Sequence, residues 1–193
     1  MESKKFALLD ADGLLLKKYP EYFSERFARE NDVPLEAMVP FYKGEFRLCQ
    51  QGKADLKAEL AKCLPKWNWD KGVDEFLNYW FTSDVTPDEA VLVEVQKIRD
   101  RGIRCYLTSD NEKYRAQYML EQLDFRNRLD GHFFSYEVGY QKSQPEYFTE
   151  ILTRLGANPS EVVFWDDDQT NVDVAKTLGI DSRFYENIVQ LKL

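Results

Sequence analysis

Apolar residues in this chain follow two rhythms. Phe6 to Leu9, Ile103 to Leu107 and Val162 to Trp165 are short, largely apolar runs bounded by turn residues, the pattern of buried strands. His132 to Ser135 predicts a further short strand, and Arg183 to Tyr185 a last one at a sheet edge. Between these runs the apolar positions recur at helical spacing. Leu92, Val95 and Ile98 follow Thr86-Pro87-Asp88-Glu89, a helix start with Thr86 as the cap, and Gly102 stops that helix. Asn111 predicts a cap for a helix whose buried face carries Tyr114, Tyr118 and Leu123. Pro145 opens a helix bearing Phe148, Ile151, Leu152 and Leu155 and closed by Gly156. Asn171 to Leu178 forms another, ended by Gly179. Repeated strand–helix units imply an α/β fold, with a parallel sheet and helices on both faces.

Residues 17 to about 86 break this alternation. Helical patterns run from Pro20 to Glu30, Leu35 to Leu48, Lys53 to Cys63 and Val73 to Phe81, with interruptions expected at Gly44 and Gly52. The segment is rich in aromatics, among them Trp67, Trp69, Trp80 and Phe81, which are expected to build its core. It reads as a small helical domain inserted after the first strand. The domain division is therefore 1–16 with 87–193, and 17–86.

Composition narrows the function. The 193 residues carry 26 Lys and Arg against 34 Asp and Glu, a formal net charge of -8 that argues against a general nucleic-acid binder. Cys49, Cys63 and Cys105 are few and lack metal-ligand spacing, so reduced thiols and a cytoplasmic location are expected. The single His132 excludes a multi-histidine metal site and reads as structural. The basic start MESKK runs into Asp10 and Asp12, which interrupt the apolar run. No signal peptide and no membrane span are expected.

Two of the predicted strands end in acids. The first closes on Asp10-Ala11-Asp12-Gly13 and the fourth on Asp166-Asp167-Asp168. A buried strand has no structural reason to finish in charge unless something neutralises it. Thr108 and Ser109 end a third strand, and Lys142 lies in the loop before Pro145. Ligands of open α/β sheets bind beyond the carboxyl ends of the strands. Neighbouring strands would thus bring four carboxylates, a hydroxyl and a lysine around one pocket. An oxygen-only donor set favours a hard cation, and Mg2+ is the usual such partner of phosphate. Asp168 fits better as an acid at a helix N-terminus.

In order and spacing these segments resemble the four motifs of the haloacid dehalogenase-like hydrolase superfamily. The resemblance covers nearly the whole chain and is to subfamily I, the phosphoglycolate phosphatase and β-phosphoglucomutase-like branch with a helical cap after the first motif. The first motif is matched by Asp10-Ala11-Asp12-Gly13. In the second, Ser109 takes the Thr/Ser place, with Thr108 as its rival. Gly139-Tyr140-Gln141-Lys142-Ser143-Gln144-Pro145 keeps the Gly, the Lys and the second Pro of the third motif but lacks the first Pro. Asp166-Asp167-Asp168-Gln169-Thr170-Asn171-Val172 matches the fourth.

The resemblance implies a three-layer Rossmann-like core with an α-helical cap, and a Mg2+-dependent phosphatase of a small phosphorylated metabolite. Asp10 would be the nucleophile and Asp12 the general acid and then base. Ser109 and Lys142 would bind the phosphoryl group together with Asp110. Asp10, the main-chain carbonyl of Asp12, Asp166 and Asp167 would hold the metal. A monomer or homodimer is expected. A phosphomutase would use the same groups, and a degenerate phosphate-binding or regulatory module is a further alternative. A dehalogenase is disfavoured, because a halide needs no proton and relatives of that type lack the second Asp. Asp110 counts against catalysis if its charge faces the phosphate.

Overall fold

The computed structural model describes residues 3–192; the first two residues of the basic amino-terminal segment lie outside it. Five strands form one parallel sheet: β1 (Phe6–Asp10), β2 (Arg104–Ser109), β3 (Gly131–Phe134), β4 (Val162–Asp166) and β5 (Asp181–Phe184). Their order is β3-β2-β1-β4-β5, so β1 is central and β2 and β4 flank it. The chain order reverses beside β1, which opens the crevice where such sheets bind ligands.

Between β1 and β2 lie α1 (Phe23–Glu30), α2 (Leu35–Lys43), α3 (Glu45–Gln50), α4 (Leu56–Cys63), α5 (Val73–Asp84) and α6 (Glu89–Asp100). The remainder is α7 (Lys113–Glu121), α8 (Phe125–Arg128), α9 (Ser135–Val138), α10 (Pro145–Leu155) and α11 (Gln169–Thr177). The two sheet faces bury different cores. Ala7, Leu9, Cys105, Leu107, Val163 and Trp165 join one continuous cluster with α6, α7 and the helices that precede α6. Phe6, Leu8, Tyr106, Val162 and Phe164 pack on Tyr147, Phe148 and Ile151 of α10 and Ala175 of α11. This is the three-layer α/β sandwich that the alternating pattern implies. Among the described residues no helix is long and apolar enough to cross a membrane.

The helices from α1 to α5 build their core from aromatics. Phe23 stacks on Trp80 at 5.0 Å, and Phe76 meets both Phe23 and Phe27 edge-on. Trp67, Trp80 and Phe81 are buried, as expected, and Trp69 is partly buried against them. Such tilted and stacked pairs fill volume with few rotatable bonds. The expected helix from Leu35 to Leu48 is split at Gly44 into α2 and α3. The two linkers that lead into and out of these helices lie side by side: Lys17 N–H donates to the Thr86 carbonyl at 2.9 Å and Asp88 N–H to that of Leu15 at 2.9 Å.

That pairing corrects one helix start. Leu16 and Pro87 form an antiparallel bridge, so the chain stays extended to Asp88, whose carboxylate caps α6 on Ala90 and Val91 N–H. The Thr86 hydroxyl bonds Tyr19 instead. A second start moves by one residue: Glu112, not Asn111, caps α7, and its buried face is Ala116, Met119 and Leu120. Tyr114, Tyr118 and Leu123 only border the core. His132 sits beside Glu137 at 3.5 Å and against the Phe134 ring, with no catalytic partner around it.

Leu8 is fully buried in the middle of the central strand. Leu8→Ala should lower the unfolding free energy by about 3 kcal/mol, measured by urea titration.

Candidate active site

The carboxyl ends of β1, β2 and β4 converge on Lys142. Its ammonium, almost fully buried, donates to Asp10 Oδ1 at 2.5 Å and Asp166 Oδ2 at 2.7 Å. Burial works against the lysine charge, but Asp10 and Asp166 outweigh it and hold the pKa well above the ordinary lysine value. Burial pushes the Asp10 carboxyl upward; Lys142 pulls the other way and Asp166 adds to the push. Two buried acids against one cation leave excess negative charge at the strand ends.

Lys142 reaches this position from a loop that leaves α9 through Gly139 in the left-handed conformation, φ 88°. The loop is pinned by Asp110, whose Oδ1 accepts the Lys142 main-chain N–H at 3.0 Å. The Asp110 carboxylate is occupied with backbone and has no donor for a phosphate. Any contact from this residue to a phosphoryl oxygen would come from its main chain.

Asp10, Asp166 and Asp167 each offer a carboxylate oxygen, all within 4.8 Å of one another. Three hard oxygen donors so placed fit a small divalent cation such as Mg2+. The Asp12 carboxylate is not in this group. Asp166 is fixed from three sides: Lys142, the Asn171 side chain at 3.1 Å and the Asp168 main-chain N–H at 2.7 Å. Asp168 itself caps α11 on Thr170, the role expected for it. Asp167 accepts from the exposed Lys18 at 3.0 Å. Gly13 brings backbone against Asp167: at φ +81°, a Cβ there would fall 2.4 Å from Asp167 Oδ2. The glycine is needed for its conformation and for the empty space.

The two hydroxyls of the second motif differ. Thr108 pairs in register with Asp10, and its Oγ1 is buried without a hydrogen-bond partner among the described residues. Ser109 lies one residue nearer the strand end, and its Oγ accepts from Asn111 Nδ2 at 2.7 Å. A hydroxyl that accepts there keeps its proton for a further acceptor.

Asp12 is turned toward α7. Arg115 grips it with both terminal nitrogens, at 2.6 and 2.8 Å, although the Asp12 side chain keeps about half its surface (53%) exposed. Partial loss of hydration works against the Asp12 charge. The two Arg115 contacts outweigh it and hold the carboxyl below the usual carboxylate range. The last residue of α3, Gln50, packs against these loops. Gln50 Nε2 donates to the Asp110 carbonyl at 2.6 Å, its Oε1 accepts from Gln141 at 3.1 Å, and its own carbonyl accepts from Ser135 at 2.6 Å.

The structure thus gathers Asp10, Asp166, Asp167 and Lys142 into one cluster, with Ser109 and Asp110 on the adjoining loop and Asp12 beside it. Arg115, Glu112, Gln50 and Lys18 are new. The fourfold spacing of Asn111 and Arg115 at a helix start was a readable polar pair. Nothing local marks Gln50 or Lys18.

An α/β sheet that surrounds a buried lysine with strand-end carboxylates defines a class of acid-lined hydrolytic sites. The chain belongs to one family within it: the haloacid dehalogenase-like hydrolases, whose profile matches residues 5–179. It is a hydrolase of that family. A phosphorylated carbohydrates phosphatase of Thermotoga maritima is 26% identical over 183 residues, covering 90% of this chain and 81% of that protein. An enolase-phosphatase E1 of Bradyrhizobium is 28% identical over 131 residues, 66% of this chain but 54% of that protein. The fold matches a HAD family enzyme of Bacteroides thetaiotaomicron at a TM-score of 0.83 and 20% identity, covering 96% of this chain and 95% of that one. The wild-type form of the same enzyme was crystallised with magnesium and inorganic phosphate (TM-score 0.74, 20% identity, covering 95% of each chain).

Burial pushes the Glu112 carboxyl up to about 7 from the usual 4.5, against the main-chain N–H bonds from Tyr114 and Arg115. The folded state therefore holds this proton more tightly than the unfolded one. Stability should fall as pH rises from about 4.5 to 7, and Glu112→Gln should flatten that slope in denaturant titrations. Gly13→Ala should weaken Mg2+ binding measured by calorimetry at least about tenfold, because Asp167 must move.

Proposed function

We propose that this hydrolase is a Mg2+-dependent phosphatase of a small phosphorylated metabolite, working through an aspartyl-phosphate. The observation that carries the reading is the buried Asp10–Lys142–Asp166 array with Asp167 alongside. Asp10 Oδ would attack phosphorus as the bond to the ester oxygen breaks. Asp12, ionised at rest, would take up a proton from solvent or from the monoanionic ester and pass it to that oxygen, since an alkoxide leaves poorly without one. It would then take a proton from water as water attacks the acyl-phosphate, freeing inorganic phosphate and Asp10. Lys142 and Ser109 would hold phosphoryl oxygens and balance the developing charge. Asp10, Asp166, Asp167 and the Asp12 carbonyl would hold Mg2+, which supplies charge neutralisation when bound.

Residues 17–86 would be the cap and 1–16 with 87–193 the catalytic core. The docking of Gln50 on the loops of Asp110 and Gln141 supports a cap that shields the pocket from water. The relatives named phosphatases support the reaction class. The Asp110 carboxylate is engaged by the Lys142 main-chain N–H, which supports a pocket in which it does not compete for the phosphate donors. The free cysteines fit a reducing cytoplasm.

p-Nitrophenyl phosphate and a panel of sugar phosphates test the reading. Turnover should need Mg2+, stop with EDTA and fall to the uncatalysed background in Asp10→Asn. Wild type no better than Asp10→Asn on every ester would sink the proposal. Ser109→Ala should lower kcat/KM about 100-fold and Thr108→Val less than about fivefold; the reverse order would assign the hydroxyl to Thr108.

A further inference from the structure

We propose that Arg115 is the positioning residue of Asp12, the last member of a side-chain chain that ties the general acid to the phosphoryl-binding hydroxyl. The proposal rests on the phosphatase reading above. Ser109 Oγ accepts from Asn111 Nδ2 at 2.7 Å, and Asn111 Oδ1 accepts from Arg115 Nη1 at 2.9 Å. Arg115 Nη1 and Nη2 then donate to Asp12 Oδ2 and Oδ1 at 2.8 and 2.6 Å. Such a planar fork fixes both the place and the plane of a carboxylate, which a single contact cannot do.

Arg115 is itself built in. Its side chain is only 12% exposed, and its main-chain N–H is held by the Glu112 cap at 2.7 Å. Its buried charge is compensated by Asp12 and, further off, by Asp84 at the end of α5, which pairs with Arg26 at 2.8 Å. The Asp12 side chain is half in solvent beyond the end of β1, and besides Arg115 it draws only on the Asn111 side chain and the charge of Lys142 among the described residues. Arg115 does not touch the reacting atoms. It holds the carboxylate that does.

The test separates proton delivery from other losses. A p-nitrophenolate leaves without a proton, whereas phenolate, with a conjugate acid near pKa ~10, gains from one. The two esters are close in size, and kcat/KM reports only the steps up to alcohol release. Arg115→Ala should lower kcat/KM for phenyl phosphate at least about tenfold more than for p-nitrophenyl phosphate. Asp12→Asn should show the same selectivity, and adding Arg115→Ala to it should change that selectivity no further. Arg115→Lys, which keeps the charge but not the fork, should recover part of the loss and serves if the alanine variant does not fold. A crystal structure of the variant should show the Asp12 carboxylate displaced or disordered. Equal loss on both esters, selective loss that persists in the Asp12→Asn background, or an Asp12 that stays in place would overturn the proposal. Wild type inactive on both esters would overturn the phosphatase reading instead, leaving the structural arm to judge Arg115.

Discussion

One buried ammonium organises this protein's chemistry. Lys142 reaches the carboxyl ends of β1 and β4 from a loop and bonds one acid on each. Without it, Asp10 and Asp166 would face each other across a parallel sheet with little water to screen them. With it, one positive charge meets two negative ones. The surplus negative charge suits the oxygen set, which Asp167 widens, to a small divalent cation. The ammonium also orients the Asp10 carboxylate, and a fixed positive charge beside it lowers the repulsion an approaching anion would meet.

The surrounding contacts supply rigidity. Asp110 pins the Lys142 main chain, Asn171 and the α11 start pin Asp166, and Gly13 lets backbone lie against Asp167. The anchors come from three stretches of sequence, and the Asp110 and Asn171 side chains are spent on neighbours rather than on a ligand. Preorganisation of this kind lets a polar site act without rearranging during reaction. Arg115 extends the same logic to Asp12, which otherwise would sample solvent.

Much of the architecture could be read from local pattern. Short apolar runs such as Phe6 to Leu9 and Val162 to Trp165 can only be buried strands here, and their acid endings stood out because charge at such a position is costly. Pattern failed where distant segments competed. Thr86 has the chemistry of a helix cap, but the bridge from Leu16 to Pro87 keeps the chain extended and hands the cap to Asp88. Tyr114 and Tyr118 have helical spacing, yet they face the junction with the inserted helices, where Tyr114 bonds Asp55 and Tyr118 meets Phe81. Among site residues, the four acids and the lysine were legible because their type is unusual at strand ends. Gln50 was not, because an amide in a polar turn has no signature until its partners at Asp110 and Gln141 are known.

The paired linkers have a consequence for how the chain is assembled. Entry to and exit from the helical excursion between β1 and α6 sit next to each other, joined by main-chain bonds at Lys17 and Thr86 and at Leu15 and Asp88. The excursion thus leaves and rejoins the core through one pair of adjacent main-chain linkers, and its other ties to the core are contacts such as those of Gln50 and Asp55. In such a layout a contiguous piece can be inserted or exchanged between two ends that already lie side by side.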